Sequence, residues 1–245
     1  SDGVTRTVQG VSDDNYCNSD HVPTWMEPVG NYSWGDMDSE RRSISTAGHE
    51  KDRFTTQLSI LKSGKKLIPY ILFRGEQADR CQHGYLGLHR LQAKIEEYIP
   101  DDNGVHFPTR DKAFITVTPS ANSNTDKTIE IIEKVILPAM PRDRGQCSAI
   151  LFDDFSAHKA EPVTSFVRDQ FPHVSIDMIT GGLTPVAQPL DKTCNKVYKG
   201  FFRELYDEHM LTVALNDKGH PIPPSKQLLA NWVVEAWDKV PESMC

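Results

Sequence analysis

Apolar and polar positions follow two rhythms along this chain. From Phe54 to Leu61 (Phe-Thr-Thr-Gln-Leu-Ser-Ile-Leu), β-favouring residues partly alternate with polar ones, which predicts a strand. Ser63-Gly64 supplies a turn and Leu67 to Phe73 a second strand, so the two read as an antiparallel hairpin. Tyr16 to Met26 reads as a short strand interrupted by Pro23; Ser43 to Ala47 and Ala113 to Thr118 read as further strands, and residues 28–42 as loop. Ser148 to Phe152 is wholly apolar, the mark of a strand buried on both faces. Helical spacing takes over elsewhere. Ile129, Ile132, Val135 and Ile136 predict a helix over 124–137 that Pro138 ends. Further helices are expected over 86–98, 161–171, 192–213 and 226–239, with a Pro-rich link at 219–224 and a strand over 174–179 that Gly181-Gly182 breaks.

A strand meander is thus followed by strands alternating with helices. That order predicts an α/β fold with a mixed sheet flanked by helices. The expected organisation is a polar segment over 1–15, loop or poorly ordered, and one domain over 16–240. No run approaches the ~20 apolar residues that span a bilayer. The start, Ser1-Asp2-Gly3, shows neither a secretory signal nor an initiator Met, so a piece of a longer protein is expected. Five cysteines without a Cys-x-x-Cys pair favour reduced thiols over a disulfide framework or zinc ribbon.

Candidate chemistry lies in three acids. Asp20 sits within the first strand, Asp153 directly follows the buried run Ala149-Ile150-Leu151-Phe152, and Asp191 precedes the long helix. A carboxylate ending a central strand is costly unless paired or bound to metal. Three of them converging would repel without a cation. Magnesium takes oxygen ligands, and a pair of such ions can clamp the attacking and leaving oxygens of an in-line displacement. Taken singly, Asp20 equally suits a turn and Asp191 a helix cap.

The segments around these acids carry a resemblance. Asn18-Ser19-Asp20 followed by Pro23 and Glu27, Gly48-His49-Glu50-Lys51-Asp52-Arg53, and Lys65-Lys66-Leu67-Ile68-Pro69 ending in Phe73-Arg74-Gly75 occur in order. Leu151-Phe152-Asp153-Asp154 with His158, then Gly181-Gly182-Leu183-Thr184 and Gln188-Pro189-Leu190-Asp191 with Asn195-Lys196, follow. Together, with the helix Trp232 to Trp237, they resemble the DDE superfamily endonuclease domain of pogo-, Tigger- and jerky-like transposases. His21 stands where that family carries an acid or amide, and residues 74–147 match poorly, with an insertion around 74–112. The resemblance implies an RNase H-like fold, Mg²⁺ or Mn²⁺ as cofactor, and cleavage and strand transfer at DNA phosphodiesters. It places the catalytic, metal-holding triad on Asp20, Asp153 and Asp191. It further implies DNA as partner, a homodimer as assembly, a nuclear location, and helix-turn-helix segments outside this chain.

The net charge of −7 sets a constraint, because Lys and Arg normally supply the affinity for phosphate. Lys51, Arg53 and His158 are candidate DNA contacts, with surface solvation the plainer reading of Lys51 and Arg53; His158 suits orienting a ligand or touching phosphate, and equally a helix-start His bonded to backbone. Lys62, Lys65 and Lys66 form one candidate basic patch, and Arg142 and Arg144 another; solvated turns are the plainer reading of both. Cys81, His83 and His89 have a loose zinc-like spacing, and Trp25, Trp34, Trp232 and Trp237 suit either base stacking or the core. A rival function remains open: a domesticated, catalytically silent transposase descendant that binds DNA or regulates. A generic Mg²⁺-dependent phosphohydrolase is the third reading; neither an Asp-x-Asp-x-Thr block nor a Gly-rich phosphate loop supports it.

Overall fold

The structure is a computed structural model. It describes residues 11–27, 52–75, 86–141, 147–179, 188–217 and 219–245, with backbone only for 86–90. The expected strand at 43–47, the Gly181-Gly182 block, Lys51, Trp34, Arg142, Arg144, Cys81 and His83 lie outside the described residues, as does the His89 side chain.

Six strands form one mixed sheet in the order β4-β3-β2-β1-β5-β6. They are β1 (Tyr16–Trp25), β2 (Arg53–Leu61), β3 (Tyr70–Arg74), β4 (Phe114–Thr118), β5 (Ser148–Phe152) and β6 (Val174–Met178). β1, β2 and β3 form the antiparallel meander, while β5 lies parallel to β1, β6 to β5 and β4 to β3. This is the RNase H-like arrangement the sequence led us to expect. The helices are α1 (Leu86–Glu96), α2 (Thr125–Ile131), α3 (Glu161–Gln170), the single turn α4 (Pro189–Lys192), α5 (Cys194–Thr212) and α6 (Lys226–Lys239).

Strand alternation divides the core into two. Val22, Phe54, Leu58, Ile60, Ile71 and Phe73 face α5 and α6, meeting Tyr198, Phe202, Leu229 and Trp237. Cys17, Leu61, Tyr70, Leu72, Ile150 and Phe152 face α2 and α3. Both Trp232 and Trp237 are therefore core residues, whereas Trp25 is exposed at the end of β1. Cys17, Cys147, Cys194 and Cys245 are free thiols.

Three elements depart from the sequence expectation, each for a local reason. β1 runs unbroken through Pro23, which pairs with Thr55. β5 pairs with β1 only from Tyr16 to Asn18, so beyond that point β1 is an edge on one side, where a missing N–H is tolerated. The helix begun by α2, with Asn124 accepting from the Lys127 N–H, passes through a π-turn at Ile132–Ile136 and continues to Ala139. Pro138 sits in that last turn, and the widened turn relieves the clash a proline makes four residues back. The long helix expected over 192–213 is α5, starting two residues later, because the backbone of Thr193 (φ −126°, ψ −67°) separates it from the turn α4.

The basic patch at 62–66 also dissolves. Lys62 pairs with Asp13 at 2.8 Å. Lys66 donates to the carbonyls of Trp237, Asp238 and Val240, capping the C-terminus of α6 with its charge.

Candidate active site

The site forms where β1 outruns β5. Alternation sends Asn18 and Asp20 towards α4 and α5, and His21 to the opposite face. Asn18 ties three segments together: its Nδ2 donates to the Leu151 carbonyl of β5 at 3.2 Å, and its Oδ1 accepts from the Leu190 N–H of α4 at 3.3 Å. Gln188 adds a bond to the Ser19 carbonyl, and the Ser19 hydroxyl accepts from Ser59 and Gln57. The strand that carries Asp20 is thereby fixed against the segment that carries Asp191.

Asp20 is buried, with 5% of its surface exposed. One amide serves two acids: Asn195 Nδ2 donates to Asp20 Oδ2 at 2.6 Å and to Asp191 Oδ1 at 2.9 Å. Asp191 and Asn195 are four residues apart and meet across the break at Thr193. Burial, then the charge of Asp191, pushes the Asp20 carboxyl up to about 7, against the lowering effect of Asn195; Asp153 raises it further. The three carboxyl groups named from the sequence are thus brought into one electrostatic neighbourhood. Asp191 is not a helix cap; it lies inside α4 and receives the Asn195 amide.

Asp153 is held from the other side. His158 Nδ1 lies 2.8 Å from Asp153 Oδ1, and the Phe155 N–H donates to the same oxygen at 3.4 Å. Burial works to raise the Asp153 pKa, but the His158 hydrogen bond, charge interactions with His158 and His21, and the Phe155 N–H bring it below its ordinary value. His158 is fully buried and sandwiched: its ring stacks on Phe152 at 4.2 Å and on His21 at 5.1 Å, with Phe155 edge-on. Burial, reinforced by His158, pushes His21 down to about 4 against the pull of Asp153 and Gln57, so its ring is neutral at pH 7. Asp154 points away and pairs with Lys159. Of the roles the sequence left open for His158, contact with DNA does not fit a fully buried ring; its Nδ1 lies close to the Asp153 carboxylate and also 3.3 Å from the Asp153 carbonyl, so orienting that acid and bonding to backbone are both met. Arg53 is exposed, opposite Trp25 in the β1–β2 register.

The donor set suits a hard divalent cation. It consists of carboxylate oxygens, with Asn195 Oδ1 buried beside them and lacking a partner among the described residues. His21, Asp153 and His158 form a second, mixed group whose ligand atoms lie within 4.8 Å of one another. The structural roles of Asn18, Gln188 and Asn195 were not read from the sequence; their only signal was membership of the blocks that carry the acids.

One buried acid, Asp20, with Asp153 half-buried and Asp191 exposed beside it, makes a carboxylate cluster of the phosphoryl-transfer class on an RNase H-like sheet, and the family model agrees with that class. The family model for the DDE superfamily endonuclease matches residues 51–244, and the chain belongs to that family. The matched span includes Asp153 and Asp191 and begins beyond Asp20. The chain is 24% identical over 228 residues to a "Pogo transposable element with KRAB domain" of Mus musculus, and 24% over 230 residues to its Homo sapiens counterpart. These alignments cover 91% of this chain and 32% of each relative, so the chain spans about a third of their length. Among solved structures it is similar to a Mos1 transposase paired-end complex with left transposon end (TM-score 0.42, 12% identity, 95% of this chain and 56% of that one). A Mos1 mariner paired-end complex with Mn gives a TM-score of 0.40 at 10% identity, covering 92% and 54%.

Proposed function

We propose that this domain is the cutting module of a transposase, cleaving and rejoining DNA phosphodiesters with Mg²⁺ or Mn²⁺ held by Asp20, Asp153 and Asp191. The observation that carries the reading is the arrangement of Asp20 and Asp191. Asp20, which is buried, and Asp191, which is exposed, share a single neutral amide, with no Lys or Arg among the described residues hydrogen-bonded or ion-paired to either. Such a pair resists double ionisation until a cation supplies the missing charge. When bound there, divalent ions would activate a water or a DNA 3′-hydroxyl and neutralise the departing oxygen. The protein's own residues do the positioning. Asn195 holds Asp20 and Asp191 in register, and His158 fixes the rotation of Asp153, as partners one step removed from a metal do. Until an ion enters, Asp20 retains a proton near neutrality. The pogo transposable-element relatives support the substrate class.

Nicking of supercoiled plasmid in Mg²⁺ or Mn²⁺ is the test. Asp153→Asn and Asp191→Asn should each abolish it while leaving the fold intact by circular dichroism. Full activity in Asp191→Asn would sink the triad. Tight Mn²⁺ binding without any nicking would favour the catalytically silent descendant instead.

A further inference from the structure

We propose that a DNA strand is guided to the carboxylates along one flank of α5, by Lys196, Lys199 and Arg203. This rests on the reading of DNA as substrate and adds the surface that holds it. At 3.6 residues per turn these three side chains fall within an arc of about 60°. All three are exposed, and Lys192, also exposed, stands beside Asp191 at the near end. Lys192, Lys196 and Lys199 make no ion pair with any described residue, and Arg203 pairs with Asp207 at 3.5 Å. Some exposed cations elsewhere are neutralised in place, Lys134 by Glu133, Arg168 by Glu161 and Asp169, Lys239 by Glu235; others, such as Arg53, Lys65, Lys94 and Lys112, are exposed without an ion pair among the described residues but are scattered over separate elements. In a chain of net charge −7, three unpaired lysines gathered beside the acids are a local reversal of sign.

The helix is asymmetric in the same sense. Two of its acids, Glu204 and Glu208, lie on another flank, within electrostatic reach of Lys239 on α6, while Asp207 stands on the stripe's side and pairs with Arg203. The stripe starts one residue after Asn195, whose amide bridges Asp20 and Asp191. From Lys196 to Arg203 it rises about 10 Å, the axial reach of about three phosphates on one strand. A backbone laid along it leads to the carboxylates. The sequence hides this surface because its cations are spread over eight positions and never form a run.

The test measures affinity for a fluorescein-labelled DNA duplex in EDTA, where no cutting intervenes, between about 50 and 200 mM salt. Two triple variants of the whole chain are compared: Lys196→Gln, Lys199→Gln, Arg203→Gln on the stripe, and Lys134→Gln, Arg168→Gln, Lys239→Gln on paired cations. Both lose the same charge, and glutamine keeps the helix. The stripe variant should bind at least tenfold more weakly, and its slope of log K against log salt should fall by about 2 to 3. The control should stay within about twofold, since paired cations release few counterions. Equal losses in both variants, no loss in the stripe variant, or no salt-dependent binding by the unaltered chain would overturn the proposal. Nicking by the unaltered chain is scored separately. Stripe-dependent binding without nicking overturns the chemistry alone, and nicking with stripe-independent binding overturns the stripe alone.

Discussion

Replacing Asp20 by asparagine should stabilise the metal-free protein at alkaline pH while removing its proposed activity. The folded-state pKa of Asp20 is pushed up from 3.8 to about 7 by burial and by Asp191. A raised pKa means that the folded state holds the proton more tightly than the unfolded chain. Stability linked to Asp20 is therefore fully present below the unfolded value and is lost as pH rises towards about 7. At about 1.4 kcal/mol per unit, the full loss is on the order of 4 kcal/mol. Between pH 5 and pH 8 roughly 2–3 kcal/mol of it is incurred, because part has already gone by pH 5. The amide variant cannot ionise, and its NH₂ can donate to Asp191. Thermal unfolding in EDTA should show the variant's advantage in Tm widening by about 5–10 °C from pH 5 to pH 8, at about 2–4 °C per kcal/mol for a domain of this size. Added Mn²⁺ should raise the wild-type Tm at pH 8 and leave the variant nearly unmoved. A Tm difference independent of pH, or a less stable variant at pH 8, would refute the argument from like charges.

The remaining predictions address the supports of the site. Asn195→Ala removes the shared donor; it should cost about 1–3 kcal/mol in urea denaturation and weaken Mn²⁺ binding, read by electron paramagnetic resonance. His158→Phe keeps the stack on Phe152 and loses the bond to Asp153. Metal-dependent nicking should fall about 10- to 100-fold with the three acids intact, and an unchanged rate would remove His158 from the mechanism. Lys66→Met leaves three carbonyls at the end of α6 without their cation. Chemical denaturation should show a loss of about 2 kcal/mol, with nicking per folded molecule unchanged.

Much of the scaffold was legible because short-range rules govern it. The apolar run Ser148–Phe152 and the helix Lys226–Lys239 appear with the bounds their patterns predict. Pro23 misled because an edge is a property of the sheet, and no local pattern reveals that β5 stops at Asn18. Asp153 and Asp191 stood out through their sequence blocks, and the match over 51–244 contains both. Asn195 did not, because its role depends on a helix break that lets one amide face a strand far away in sequence. Lys66 read as a surface charge for the same reason: its three acceptors lie in another element. His21 was visible as a departure from the family pattern, and the structure places a neutral ring there, stacked on the histidine that orients Asp153.

Asn195 and Asp20 meet across 175 residues, and Asp153 joins them from a third segment. During synthesis, a ribosome-bound chain that has emerged only as far as β6 has two of the acids and nothing to bridge them. The proposed chemistry would therefore not begin on a half-made molecule. Proteolysis between β6 and α4 would disarm the domain without touching an acidic residue. Assembly order, built from sequence separation alone, decides when the site exists.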